Sequence, residues 1–213
     1  HKGGYARFSF DITELVKDGE NELTVKVEDS FDIQQPRGKQ RWIDENFGCW
    51  YVQTTGIWKT VWTEYVPDIR LDYVKMTPNL HDMALEIEYQ IDAPESAMAG
   101  GNLMVVATVT FGDMLISKTM TVMTSDHTKT KIDVFHKTNG QTNCGMEWGV
   151  RTWSPESPDL YDITFEVVSD GKIFDTVGSY FAMREIRIDG SNILLNGHPL
   201  YQRLILDQGY WKD

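Results

Sequence analysis

The chain has 213 residues, of which 41% are hydrophobic and 12% aromatic. That is enough apolar surface for one large or two modest packed domains, and too much for a disordered chain. A formal net charge of −12 excludes nucleic acid and anionic membrane surfaces as expected partners, since both need basic patches. No apolar run reaches the roughly 20 residues that span a bilayer.

Almost everything reads at period two. Phe8, Phe10 and Ile12 alternate with Ser9, Asp11 and Thr13, and Leu23, Val25 and Val27 alternate with Thr24, Lys26 and Glu28. Such alternation puts one face of a strand on a core and the other in water. A polar loop after Pro36 carries Arg37, Lys39 and Gln40, and another strand is expected around Trp58 to Tyr65. A boundary falls near Val66-Pro67-Asp68. Beyond it Met83, Leu85, Ile87, Tyr89 and Ile91 give the cleanest alternation, and Tyr161, Ile163, Phe165 and Val167 repeat it. Gly112-Asp113, Asp170-Gly171 and Asn196-Gly197 suit tight hairpins, because they tolerate positive φ. Long amphipathic helices are missing, so the expected class is all-β, built of sandwiches. Residues 67–183 supply strands for one complete sandwich of immunoglobulin-like size, whereas residues 1–66 hold about four strands plus a loop and read as part of a larger sandwich. After residue 184 an apolar strand, Leu204-Ile205-Leu206, runs into Asp207, Gln208, Tyr210 and Trp211. Polar-aromatic clusters of this kind stand at the active-site ends of strands in parallel α/β barrels.

The remaining candidates read mostly as structure. Trp42, Trp50, Trp58, Trp62 and Trp153 could form a carbohydrate platform, but large aromatics dominate burial and core positions are expected. His1 invites a copper site through its amine and ring, yet His81, His127, His136 and His198 stand in no matching motif. With no His-x-x-x-His or Cys-x-x-Cys pair, no metal and no cofactor are expected. Cys49 and Cys144 are far apart and read as two free thiols. The chain shows no signal-peptide pattern and no Asn-x-Ser/Thr sequon, which leans the expected location toward the cytoplasm.

Six segments, in order, carry a resemblance. His1-Lys2-Gly3-Gly4-Tyr5 with Phe8-Ser9-Phe10-Asp11-Ile12-Thr13 resembles the H-x-G-G-Y-x-x-F-x-x-D-I-T stretch of family 2 glycoside hydrolases. Gly19-Glu20-Asn21-Glu22-Leu23-Thr24-Val25, Pro36-Arg37-Gly38-Lys39-Gln40, and Thr55-Gly56-Ile57-Trp58 through Glu64 continue it. Trp153-Ser154-Pro155-Glu156-Ser157-Pro158-Asp159-Leu160-Tyr161 is similar to the family's W-x-P-x-x-P-x-L-Y, and Phe181-Ala182-Met183-Arg184 with Leu195-Asn196-Gly197-His198-Pro199 to its lead into the barrel. Ala182 departs from the usual Gly.

The resemblance implies a jelly-roll-like, sugar-binding-type sandwich over 1–66, an immunoglobulin-like sandwich over 67–183, and over 184–213 the lead-in and first strand of a truncated (β/α)8 barrel. It further implies a retaining exo-glycosidase, nearest to β-galactosidase-like members, whose substrate is a terminal β-linked sugar. Both catalytic glutamates are then expected beyond this chain, so no catalytic residue is assigned and the fragment is expected to be inactive. Asp207, Gln208, Tyr210, Trp211, Arg37, Lys39 and Gln40 are the expected sugar contacts, the last three alternatively a domain-interface loop. The whole enzyme could be a homo-oligomer. The alternative is a stand-alone carbohydrate-binding or adhesion sandwich, against which the apolar strand at Leu204–Asp207 argues.

Overall fold

The computed structural model describes residues 1–32, 34–140 and 145–207. They divide into two compact units: His1–Glu64 with the described part of Leu204–Asp213, and Tyr65–Arg203.

In the larger unit the chain forms β1 (Arg70–Asn79), β2 (Ala84–Asp92), one short helix (Glu95–Ala99), β3 (Met104–Phe111), β4 (Met114–Val122) and β5 (His127–Asp133). The two-residue strands β6 (His136–Lys137) and β7 (Trp148–Gly149) pair with each other, and β8 (Tyr161–Ser169) and β9 (Lys172–Phe181) complete the array. Antiparallel pairing gives a three-stranded sheet of order β1-β2-β5 and a four-stranded sheet of order β4-β3-β8-β9. The two sheets share one core, which makes this unit a β-sandwich. Period-two patterning decides what enters it. Leu85, Ile87, Tyr89 and Ile91 of β2 are buried, and so are Val105, Ala107 and Val109 of β3 and Tyr161, Ile163, Phe165 and Val167 of β8. Each large side chain so removed from water contributes about 1.5–3 kcal/mol. The Tyr89 ring meets Phe165 edge-on at 5.8 Å between centroids, the arrangement that aromatic quadrupoles favour.

Tight turns set the registers. Phe111 pairs with Met114 across Gly112-Asp113, and Ser169 with Lys172 across Asp170-Gly171. Asp170 and Gly171 adopt φ of +50° and +76°, the left-handed pair that matches the twist of a two-residue hairpin. The Pro-bearing loop before β8 is fixed by an ion pair. Arg151 Nε and Nη2 donate to the Asp159 carboxylate at 2.9 and 3.0 Å, and the Arg151 guanidinium lies 4.8 Å from the Phe111 ring centre. The Arg151 backbone N–H donates to the Tyr161 hydroxyl at 2.7 Å. Burial raises the pKa of that hydroxyl to about 12, so it stays protonated.

Three further strands, β10 (Ile186–Asp189), β11 (Asn192–Leu195) and β12 (His198–Pro199), form an antiparallel meander. Asn196-Gly197 turns the chain between β11 and β12, with Leu195 opposite His198.

The smaller unit differs from the sequence expectation. Its described residues contain a 3-10 turn at Thr13–Leu15 and the isolated bridges Gln40↔Tyr51 and Phe47↔Trp50, but no β-ladder. Phe8, Phe10, Leu23, Val25 and Val27 are exposed. Alternation determines which side chains share a face; it does not supply the neighbouring strand on which that face depends. Trp58 and Trp62, expected in a core, are 69% and 55% exposed. Their rings instead lie near cations, Lys59 at 4.6 Å and Arg7 at 5.4 Å. Trp42, Trp50 and Trp153 are half-buried. Leu204, Ile205 and Leu206 are also exposed and belong to no ladder.

Candidate functional site

The loop that carries Arg37, Lys39 and Gln40 is a densely hydrogen-bonded polar surface of the smaller unit. It closes on Asp29. Oδ1 of Asp29 accepts from the Ser30 backbone N–H at 2.8 Å and Gln35 Nε2 at 3.1 Å. Oδ2 accepts from Gln53 Nε2 at 3.0 Å and Thr55 Oγ1 at 3.2 Å. Partial desolvation pushes the Asp29 pKa upward, but the bonds from Ser30, Gln53, Gln35 and Thr55 together outweigh it. The carboxyl is held below the usual aspartate range. Asp29 is therefore an ionised, oriented and solvent-facing carboxylate.

Arg37 holds the loop rather than projecting from it. Its Nη2 donates to the backbone carbonyls of Phe31 and Asp32, and its guanidinium lies 5.6 Å from the Trp42 ring centre. Trp42 packs in turn on Trp50 at 4.7 Å and Phe47 at 5.0 Å. Gln40 Oε1 accepts the Thr54 N–H at 2.9 Å, and the Lys39 carbonyl accepts the Tyr51 N–H at 2.8 Å. Carboxylate, amides and aromatic cluster thus hold two stretches together, residues 29–42 and 47–55.

The structure brings Arg37, Lys39 and Gln40 together on this loop and places Asp207, exposed, in the same compact unit. Gln208, Tyr210 and Trp211 lie outside the described residues, as does Cys144. Sequence reasoning missed Asp29, Gln53 and Thr55. The only local signal was Asp29-Ser30 closing the Leu23–Glu28 alternation; nothing in the spacing ties Asp29 to residues 24 and 26 positions on.

The larger unit has a cleft of ≈ 360 Å³ lined by Ser154, Glu156, Leu195, Asn196, His198, Pro199 and Leu200. It offers one carboxylate, whereas a retaining glycosidase needs two, about 5–5.5 Å apart. Among the described residues no group of three or more His, Cys, Asp or Glu side chains is placed to hold a metal ion. His136 is buried, with Nδ1 2.9 Å from the Val134 carbonyl and its ring against Phe111 and Tyr161.

The family model described as glycosyl hydrolases family 2 matches residues 69–184, which is most of the sandwich. The chain belongs to glycoside hydrolase family 2. It is 26% identical over 209 residues to a putative β-glucuronidase of Formosa agariphila, an alignment covering 92% of this chain and 22% of that protein. It is 27% identical over 207 residues to a β-galactosidase of Thermoanaerobacter pseudethanolicus, covering 95% of this chain and 25% of that one. The chain therefore spans about a quarter or less of the length of these relatives. A solved β-glucuronidase from Ruminococcus gnavus matches 64% of this chain and 19% of its own, at 17% identity and a TM-score of 0.44.

Proposed function

We propose that this chain is the N-terminal, non-catalytic portion of a family 2 exo-glycosidase that hydrolyses terminal β-glycosidic bonds with retention, β-galactosides in the first instance. The observation that carries the reading is the family match across the sandwich, extended by relatives named β-galactosidase and β-glucuronidase that align with more than 90% of the chain. In this reading residues 67–183 are an immunoglobulin-like sandwich, supported by the orders β1-β2-β5 and β4-β3-β8-β9. Residues 1–66 are part of a jelly-roll-like domain, supported by alternating apolar side chains that stand exposed and need a neighbouring sheet. Residues 184–213 lead into a (β/α)8 barrel, where Leu204, Ile205 and Leu206 would be covered on both faces.

The sandwiches buttress that barrel. The Asp29 loop contributes polar groups to the rim of its pocket, with Arg37 as a positioning residue and Lys39, Gln40 and Asp207 as candidate hydroxyl contacts. Gln208 and Tyr210 would extend this set, and Trp211 would stack on a pyranose. Galactoside preference is supported by the motif resemblance and by β-galactosidases among the relatives.

The test uses two proteins. The 213-residue polypeptide should not hydrolyse aryl β-galactosides or β-glucuronides above background, and the product of the whole gene should hydrolyse one of them. Turnover that scales with the concentration of the purified 213-residue chain would refute the non-catalytic assignment. Tight retention of that chain on an oligosaccharide support, with no hydrolysis by the whole gene product, would favour the stand-alone binding module.

A further inference from the structure

One side chain of the meander β10–β12, Asn196, bonds both within its own ladder and to the sandwich. Ile186 and Leu195 are the last backbone pair of the β10–β11 ladder, and the next rung is Glu185 opposite Asn196. There the Asn196 N–H donates to the Glu185 carbonyl at 2.9 Å in the ordinary way. The return bond is different: the Glu185 N–H donates to Asn196 Oδ1 at 3.0 Å, so a side-chain oxygen stands in for the backbone carbonyl. Asn196 has a φ of +51°, a left-handed conformation that Asn adopts more readily than most residues.

The other end of the same amide reaches the sandwich. Asn196 Nδ2 donates to the Trp153 carbonyl at 2.9 Å, in a half-buried setting. Trp153 is itself held from two further sides. Its N–H donates to the Met183 carbonyl at 3.0 Å, beside the Thr152↔Met183 bridge, and the Arg184 guanidinium lies 5.0 Å from its ring centre. The residue at position 196 must therefore accept on one side and donate on the other while tolerating positive φ. Asn meets all three demands. Asp lacks the donor, and Gly lacks both groups.

We propose that Asn196 is a two-ended latch that makes residues 184–200 a rigid extension of the sandwich rather than a linker. The latch fixes where the chain continues after Leu200, whose N–H donates to the Ile193 carbonyl at 2.8 Å. This conformational device stands independently of the sugar, the linkage and the catalytic activity.

Backbone ¹⁵N relaxation and amide exchange on the full 213-residue chain test it. In the unsubstituted chain, amides of β10 and β11 should show order parameters equal to those of β8 and β9, near ~0.85. Asn196→Gly keeps the turn conformation and removes both bonds, so the β10 and β11 values should drop below ~0.6. Exchange at the Glu185 amide should rise at least about tenfold, in line with loss of roughly 1.4 kcal/mol of protection. Asn196→Asp should separate the two ends: Glu185 keeps its acceptor and its protection, while the loss of the Trp153 bond still lowers the meander's order parameters. Order parameters below ~0.6 in the unsubstituted meander would overturn the proposal without any variant. Unchanged meander values in a folded Asn196→Gly chain, with β8 and β9 amides in the same spectra as the folding control, would overturn it as well.

Discussion

Substituting Asp159 by Ala tests the account of how the sandwich holds its Pro-bearing loop. Asp159 accepts two bonds from the Arg151 guanidinium, at 2.9 and 3.0 Å, and a third from Ser157 Oγ at 3.1 Å. Both side chains of the pair are only 19% exposed. Removing the carboxylate takes its bidentate partner from a guanidinium in a mostly desolvated site over Phe111, with one face against an aromatic ring. Breaking a fully buried pair in this way costs about 3–5 kcal/mol. The fifth of each side chain still in water lowers that figure, and about 2–3 kcal/mol is expected here.

At a urea dependence of about 1.5 kcal/mol/M, the unfolding midpoint followed by far-UV circular dichroism should fall by roughly 1–2 M. The sign of the coupling is the sharper part of the test. Replacing both partners with apolar side chains, Arg151→Met with Asp159→Leu, removes the stranded charge, so the double variant should be less destabilised than either single one. The backbone bond from Arg151 to the Tyr161 hydroxyl survives all three changes and does not confound the comparison. A loss below about 0.5 kcal/mol for Asp159→Ala, or strict additivity in the cycle, would refute the reasoning.

Three further outcomes follow from the same structure. Phe165→Ala opens a cavity beside Tyr89 in the centre of the core, and a loss of about 3–5 kcal/mol is expected by urea unfolding. Gly171→Ala introduces a Cβ that meets nothing within 4 Å, so its cost is the left-handed backbone alone. That cost is about 1–2 kcal/mol, and a neutral Gly171→Ala would show that the hairpin tolerates another turn type. The Asp29 pKa is lowered on folding, so the ionised carboxylate stabilises its loop above the ordinary value of 3.8 and the contribution disappears as pH falls through the lower folded value. A carboxyl ¹³C titration placing Asp29 at or above 3.8 would contradict the hydrogen-bonded cluster, and Gln53→Ala should move the titration upward.

The sandwich was legible because each of its strands carries its instructions locally. In β2 the alternate side chains Leu85 to Ile91 and in β8 Tyr161 to Val167 are apolar and buried, and Asp170-Gly171 places the turn just after the alternation stops. The smaller unit shows where that logic ends. Phe8, Phe10, Leu23, Val25 and Val27 follow the same period as Leu85, Ile87 and Tyr89, yet they are exposed. A strand's pattern is a property of six or eight residues; its burial depends on a partner whose position the pattern does not encode. Trp58 failed for the same reason, since aromatic size predicts burial only where a sheet is present to cover the ring.

The Asp29 cluster was invisible for a different reason. Its donors come from Gln35, Gln53 and Thr55, and hydrogen bonds over 24 and 26 positions depend on where a loop returns, which no periodicity encodes. Arg37 was legible as a loop residue but not in its direction. A cation after Pro36 could equally well face a ligand or fold back, and the two nearby carbonyls and the Trp42 ring turn it back. That distinction changes what mutation should show. Arg37→Lys keeps the charge but loses the planar guanidinium that stacks on an indole while its Nη2 reaches two carbonyls. If Arg37 positions the loop, Arg37→Lys should loosen the Asp29 cluster and raise the Asp29 titration in the isolated chain, with no sugar present. If Arg37 only meets substrate, that titration will not move.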